Sequence, residues 1–142
     1  MLRIFPDVGR NRLIIQLAGR PSLEMCTEGM AHLNESLERL RAPIDVLIDV
    51  VEFEGLDDAA LECARLAEEA LLRFGVRKSV RLFGRSTQAA VVQMHQSSRP
   101  ATNEVSHLAF SIREAELLFS RADSEAALVE AVPHVEDLTV QP

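Results

Sequence analysis

Apolar and polar residues alternate at the start of the chain, and this two-residue period predicts a β-hairpin. Leu2 and Ile4 are separated by a charged residue in a first strand that closes at Val8. Residues 9–11, Gly-Arg-Asn, are typical turn residues. A second strand follows over residues 12–17, with an apolar residue at every second position.

The period changes to three and four residues after Gly19, which predicts an amphipathic helix with Ser22 as its N-cap. Ala42 and Pro43 end this helix. Residues 44–51, IDVLIDVV, are apolar on both faces. A strand of this kind lies in the middle of a sheet that helices cover on both sides. The apolar stripe of the helix consists of Leu23, Cys26, Met30, Leu33, Leu37 and Leu40.

The middle of the chain predicts a second helix after a short loop. Residues 53–56 form the loop, and either Asp57 or Asp58 caps the helix. The helix continues to Phe74 and stops at Gly75, because glycine is common just beyond a helix end.

The remaining elements predict an α/β fold. In chain order they are a strand over residues 76–83, a helix over 87–98, a polar loop over 100–106, an undecided segment over 107–116, a short strand over 116–120 and a helix over 123–132 capped by Asp123. Alternating strands and helices favour a mixed sheet of about five strands covered by about four helices. We expect a single domain over residues 1–132, followed by a C-terminal tail over residues 133–142.

Composition and charge exclude several classes of partner. The 142 residues are 47% apolar and carry a net charge of −7, which disfavours binding to nucleic acid or to an anionic membrane. No apolar run approaches the ~20 residues that span a bilayer. The apolar stretch at the start of the chain is too short for a signal peptide, and Pro6 interrupts it. We therefore expect a cytoplasmic protein.

Taken together, the elements resemble the STAS domain, the fold of bacterial anti-sigma-factor antagonists and of sulfate-transporter tails. The resemblance rests on the hairpin that ends in LAG, on the helix after it, on DVLIDVVEFEGLDDAALECARLAEEAL and on ELLFSRADSEAAL. Asp49 matches the Asp that ends the family's hydrophobic strand, Phe53 matches its loop hydrophobe, and residues 57–61 match the next helix start. The closing stretch matches the family's last strand, linker and final helix.

The resemblance implies a binding surface but not the family's phosphorylation switch. The surface would consist of Phe53, Asp57, Asp58 and Leu61, and its partner would be an anti-sigma kinase or a larger signalling assembly. The family's phosphorylated serine is matched here by Asp58 or Ala59, neither of which has a hydroxyl. Asp58 then has two open roles, a permanent substitute for the phosphoserine charge or a helix cap.

No residue pattern predicts a catalytic, metal or cofactor site. Cys26 and Cys63 lie on predicted helices outside any Cys-x-x-Cys or Cys/His cluster, so we expect reduced, buried thiols. The acidic residues of 52–58 lack the spacing of a calcium loop. The histidines, which lack metal-ligand spacing, are His32, His95, His107 and His134. We expect a protein that is not an enzyme.

A weaker candidate site lies where a predicted strand meets a predicted helix. Gly84, Arg85, Ser86 and Thr87 can hold an anion through backbone N–H groups and the arginine. The alternative is that Ser86 or Thr87 only caps the helix. The segment has one glycine and no phosphate-loop lysine, and no GxSxG elbow occurs in the chain.

Three hypotheses for function follow from the sequence. The first is a STAS-like protein-interaction module that binds through residues 53–61. The second is a small-ligand or nucleotide sensor that uses residues 84–87. The third is a structural subunit that self-associates, as a homodimer for example, through its apolar N-terminal strands.

Overall fold

The computed structural model describes residues 1–84 and 105–121. Its elements are β1 (Leu2–Asp7), β2 (Arg12–Gly19), α1 (Leu23–Leu37), β3 (Ile44–Phe53), α2 (Asp58–Phe74), β4 (Val76–Leu82), β5 (Val105–Ala109) and α3 (Ile112–Ser120). A one-turn 3-10 helix, Val8–Arg10, joins β1 to β2. The helices predicted over residues 87–98 and 123–132 and the tail over 133–142 lie outside the described residues.

The five strands form one mixed sheet in the order β1-β2-β3-β4-β5. β1 pairs with β2 in antiparallel orientation, and the other neighbours are parallel. α1 connects β2 to β3, and α2 connects β3 to β4. Both helices therefore start at the carboxyl edge of the sheet and end at its amino edge. The predicted α/β class and mixed five-strand sheet are confirmed, with three α-helices in the described residues.

The alternating side chains of β3 divide the core between the two faces of the sheet. Ile44 and Val46 pack with Leu33 and Leu71 beneath α1 and α2. Leu47, on the opposite face, packs in a second cluster that includes Phe119 of α3. The prediction that this strand is central and covered on both faces is confirmed.

Asn11 closes the turn between β1 and β2 with a backbone φ of 53°. Asn is one of the few residues other than glycine that adopt this left-handed conformation readily. Its Nδ2 donates to the carbonyl oxygen of Arg41 at 2.6 Å, and its Oδ1 accepts from the N–H of Arg41 at 2.9 Å. One side chain therefore ties the hairpin to the loop between α1 and β3.

Replacing Asn11 by Gly is expected to lower the free energy of unfolding by about 1–2 kcal/mol, because both hydrogen bonds to Arg41 are lost. Asn11→Ala should lower it by about 1 kcal/mol more, since alanine is strained at positive φ whereas glycine is not. Urea unfolding measures both differences. If Asn11→Gly were as stable as the wild type, the hydrogen bonds to Arg41 would not contribute to stability. If Asn11→Ala and Asn11→Gly were equally stable, the positive φ at this position would not matter.

The helix ends follow from local hydrogen bonds. The Oγ of Ser22 accepts from the N–H of Met25 at 3.1 Å, so the predicted N-cap of α1 is confirmed. α1 stops at Leu37, before the predicted break at Ala42 and Pro43, because the N–H groups of Arg39 and Leu40 donate to carbonyl oxygens only three residues before them. That tighter turn buries Leu40 in the core. α2 ends as predicted at Gly75, where φ is 113°.

The strand predicted over residues 116–120 is wrong, because these residues form the second half of α3. The Oγ of Ser111 accepts from the N–H of Glu114 at 3.1 Å, and the Glu114 carboxylate accepts from the N–H of Phe110 at 2.7 Å. This arrangement is close to a capping box, whose sequence signature is Ser-x-x-Glu. Residues 105 and 106 belong to β5 and not to the predicted loop.

Charged side chains of the sheet hold α3 in place. The guanidinium of Arg12 donates to both carboxylate oxygens of Glu116, at 2.8 and 3.1 Å. The Nζ of Lys78 donates to the carbonyl oxygen of Leu118 at 2.9 Å and to that of Arg121. Lys78 is 1% exposed, and burying its ammonium group costs free energy. The carbonyl oxygens at the carboxyl end of α3 offset that cost.

Candidate functional site

The carboxyl ends of β2 and β3 form the edge of the sheet from which α2 starts. Gly19 pairs with Phe53 in the parallel register, and the N–H of Glu54 donates to the carbonyl oxygen of Gly19 at 2.8 Å. Gly55 follows with a φ of 134°, a conformation that requires glycine. A Cβ atom at Gly55 would lie 3.5 Å from Nη1 of Arg20. The connection to α2 is therefore a short turn packed against the β2 end.

Asp57 is the N-cap of α2. Its Oδ1 accepts from the N–H of Ala60 at 2.9 Å, and its carbonyl oxygen accepts from the N–H of Leu61 at 2.8 Å. Asp58 is the first residue inside the helix and is exposed. The sequence leaves the cap open between these two residues, and the structure assigns it to Asp57. Asp58 is left as a solvent-facing charge at the positive end of the helix dipole.

The two apolar residues of the predicted binding surface face inward. Phe53 is the last residue of β3, not a loop residue, and it is 3% exposed in a cluster with Val50 and Phe83. Leu61 is half-buried and lines a cavity under α2. Neither side chain is presented to a partner as the sequence analysis expects, because the helix start packs on the end of the sheet. What remains of the predicted surface is acidic.

The acidic edge, as we call this surface, consists of Glu52, Glu54, Asp57 and Asp58. All four residues are exposed. Within the described part of the chain, none of them makes an ion pair. Four carboxylates therefore lie beside one helix start, and the guanidinium of the exposed Arg20 lies against Gly55 in the same turn.

The other sequence-predicted sites are only partly described. Gly84 follows the end of β4, whereas Arg85, Ser86 and Thr87 lie outside the described residues. His32 is exposed with its Nδ1 3.8 Å from the carboxylate of Glu35. His107 is half-buried in β5, and His95 and His134 are not described. Over residues 1–84 and 105–121, no three His, Cys, Asp or Glu side chains group as metal ligands.

A cavity of about 140 Å³ lies between α1, α2 and the face of the sheet that they cover. We call it the core cavity. Aliphatic side chains of the four strands β1 to β4 form its floor, among them Ile4, Ile15 and Ile48. Both large and small residues of the helices line its wall, and the small ones are Cys26, Gly29, Cys63, Ala64 and Ala67.

Both cysteines line the core cavity as free thiols. Cys26 is buried and Cys63 is half-buried. Burial raises the pKa of the Cys26 thiol, with smaller contributions from Cys63 and Asp57. A thiol with a raised pKa stays protonated and unreactive at neutral pH. Cys26 is therefore the buried thiol that the sequence analysis expects, whereas Cys63 is only half-buried.

Ser79 and Arg81 of β4 give the core cavity a polar side. They are 2% and 6% exposed. Arg65 and Glu68 of α2 also line the cavity, and the exposed Arg65 pairs with Glu62 at 3.4 Å. The charged lining residues are therefore two arginines and one glutamate, and each of them has an interaction partner. The sequence analysis does not predict this site.

Comparison with models of protein families, with curated proteins and with solved structures finds no match for this chain. The STAS resemblance therefore stays an expectation that rests on the residues quoted from the sequence. Across residues 1–84 and 105–121, no helix is both long enough and apolar enough to cross a membrane.

Proposed function

We propose that this chain is a non-catalytic protein-interaction module of the STAS type and that its acidic edge binds a basic surface of a protein partner. The observation that carries the proposal is the absence of any ion pair to the four exposed carboxylates in the described residues. Neighbouring like charges repel one another. A basic partner surface would relieve that repulsion. The negative potential of the acidic edge would also attract such a surface during the encounter.

The order of the elements supports the STAS part of the proposal. A hairpin, a helix, a buried strand and a capped helix follow one another as the resemblance implies. Asp49 departs from the family pattern, because it lies inside β3 and not at the end of the strand. The Oδ1 of Asp49 accepts from the N–H of Val51 at 3.1 Å, so this Asp has a structural contact. The closing stretch departs from the family pattern, because residues 116–120 are helical where a strand is implied.

In this proposal Asp58 has the role of the family's phosphoserine. Its charge is permanent and lies in the first turn of α2, where Asp57 already provides the cap. A carboxylate carries less charge than a phosphate, and no kinase can remove or add it. Binding would then be constitutive, and the partner would be an anti-sigma kinase or a signalling assembly with a basic docking surface.

Asp58→Arg is expected to weaken partner binding at least about tenfold, because it places a cation where a basic partner requires an anion. The measurement is affinity capture from the native lysate with wild type and two variants as baits, read by mass spectrometry. The matched control is Glu38→Arg, the same charge change just after α1, at the amino edge of the sheet. Captured proteins are then purified, and their affinities are measured across salt concentrations.

A partner retained by wild type and Glu38→Arg, lost by Asp58→Arg and weakened by salt supports the proposal. Equal retention by all three baits would move the interface away from the acidic edge. Thermal unfolding of the three proteins ensures that lost binding does not reflect lost folding, since exposed substitutions at these positions should change stability by about 0.5 kcal/mol or less.

A further inference from the structure

The two cysteines of the chain lie on neighbouring helices near the same edge of the sheet. α1 and α2 run parallel, because both start at the carboxyl edge. Cys26 is the fourth residue of α1, and Cys63 is the sixth residue of α2. At a rise of about 1.5 Å per residue, each lies within about 8 Å of the start of its helix. The two thiols are therefore at a similar distance from the carboxyl edge.

Each cysteine is the first member of an apolar stripe, and the two stripes have the same spacing. Apolar residues follow the cysteine after four, seven and eleven positions on both helices. Positions at this spacing lie on one face of a helix. The members that follow the cysteines pack in one hydrophobic cluster, and they are Met30, Leu33 and Leu37 of α1 and Ala67, Ala70 and Phe74 of α2. Because the two stripes meet, they bring both cysteines to the same end of the helix pair.

The surroundings of Cys26 also indicate that the start of α2 is close to it. Both thiols are free and line the core cavity. Burial raises the pKa of the Cys26 thiol most, and the charges of Cys63 and Asp57 raise it further. Asp57 is the N-cap of α2, and Cys63 lies in its second turn. The first two turns of α2 are therefore within electrostatic range of Cys26.

The packing distance of two helices suits a disulfide bond. Helix axes pack about 8–10 Å apart, and each Cα atom lies about 2.3 Å from its axis. Cα atoms that face each other across such a pair are therefore about 3.5–5.5 Å apart, and a disulfide bond requires about 4.4–6.8 Å. The open space of the core cavity gives the two sulfur atoms room to rotate toward each other.

We propose that Cys26 and Cys63 form a reversible disulfide bond between α1 and α2 when a peroxide oxidises the protein. The half-buried Cys63 attacks hydrogen peroxide first, so that the O–O bond breaks, a sulfenic acid forms and one water leaves. Cys26 then attacks this sulfur, the S–S bond forms, the S–O bond breaks, and a second water leaves. The two thiols lose two electrons, which the peroxide gains, and the thiol protons leave in the water.

The thiol pair is separate from the acidic edge and does not depend on the STAS-type proposal. The second step takes place inside one molecule, so the proximity of the two sulfur atoms offsets the small thiolate fraction of Cys26. Disulfide bonds that form and break again in this way are typical of redox-sensing proteins in reducing surroundings.

Treatment of the reduced full-length protein with hydrogen peroxide tests whether the bond forms. Mass spectrometry should show the loss of two hydrogen atoms from the intact protein, and a digest should contain a peptide that links Cys26 to Cys63. The protein should remain a single chain on a non-reducing gel, and dithiothreitol should restore both thiols. Added oxygen without a linked peptide would overturn the proposal, as would bonds that form only between chains.

A displaced thiol is the matched control for the position of Cys63. The double variant Cys63→Ser, Glu62→Cys keeps two thiols in the chain but moves one of them by a single residue to an exposed position of α2. Neighbouring residues of a helix point in directions about 100° apart, so this thiol should not bond to Cys26 within the chain. An intrachain bond that forms equally in this variant would show that the position of Cys63 does not matter, and the proposal would fail.

Equilibration of the wild-type protein with reduced and oxidised glutathione measures how well the fold presents the pair, and it requires no variant to fold. The equilibrium constant for forming the bond should be at least about tenfold larger in the folded protein than in concentrated urea, because a bond that the fold accommodates also favours folding by the same factor. The oxidised protein should therefore melt about 5–10 °C above the reduced one. An equal or smaller constant in the folded protein would show that the fold holds the thiols apart and would overturn the proposal.

Discussion

The Lys78→Met protein is expected to unfold with a free energy about 2–4 kcal/mol below that of the wild type. Methionine preserves the length and apolar stem of the side chain, so packing changes little. The change removes the donor to the carbonyl oxygens of Leu118 and Arg121, at the end of α3 where helical donors are missing. Removing the buried ammonium relieves its desolvation, but two part-buried carbonyl acceptors are left without this partner.

Urea unfolding measures the loss, and Arg73→Met, an exposed cation on α2, is the matched control with an expected change within about 0.5 kcal/mol. Hydrogen exchange should show that the last amides of α3 open more readily in Lys78→Met than the amides of α1 do. If Lys78→Met were as stable as the wild type, desolvation of the ammonium would outweigh its hydrogen bonds. Lys78 would then not be what fixes α3 on the sheet.

Glu116→Gln is expected to lower the free energy of unfolding by about 1–2 kcal/mol at pH 7, because it leaves the buried Arg12 without a counter-charge. The guanidinium lies 4.0 Å from the centre of the Phe119 ring, so it remains packed when the charge pair is broken. The Glu116 side chain is 44% exposed, and solvent screening keeps the expected loss below that of a fully buried pair. The control is Glu62→Gln, whose exposed partner Arg65 lies at 3.4 Å, with little expected change.

The loss of stability caused by Glu116→Gln should become smaller as the pH falls. The hydrogen bond from Arg12 holds the pKa of the Glu116 carboxyl below its ordinary value of 4.5, against the opposing effect of partial burial. A carboxyl with a lowered pKa in the folded state stabilises the protein above its unfolded pKa, and this contribution is lost as the pH falls through the folded value. The stability difference between wild type and Glu116→Gln should therefore be largest above pH 4.5 and shrink below it. A difference that stays constant down to pH 2 would contradict the charge-pair explanation.

The local sequence determined the elements whose signals act within a few residues. Ser22 bonds to Met25 three positions later, and Gly75 ends α2 through its own backbone conformation. The central strand was evident because its two faces are both apolar over residues 44–51. These features were predictable because a cap, a turn or a two-residue period is complete within one short stretch of chain.

The local sequence pattern was not sufficient to predict α3. The Ser111 and Glu114 signal was present, but residues 107–116 satisfy both the helical and the strand period. The contacts that hold the helix come from far away in the chain, since Arg12 lies 104 positions before Glu116 and Lys78 lies 40 positions before Leu118. No local period describes such contacts, because the two partners lie in distant parts of the chain.

The candidate sites also have features that the local sequence predicts and features that depend on tertiary packing. The sequence alone placed Asp57 and Asp58 at a helix start, since carboxylates before an amphipathic stretch are a local signal. It could not show that Phe53 and Leu61 turn inward, nor that Ser79 and Arg81 line a cavity. A cavity is the space left between two helices and a sheet after all of them pack, and its volume depends on side chains from β1 to β4 together. That space is a property of the tertiary structure, because no single segment of the chain encloses it.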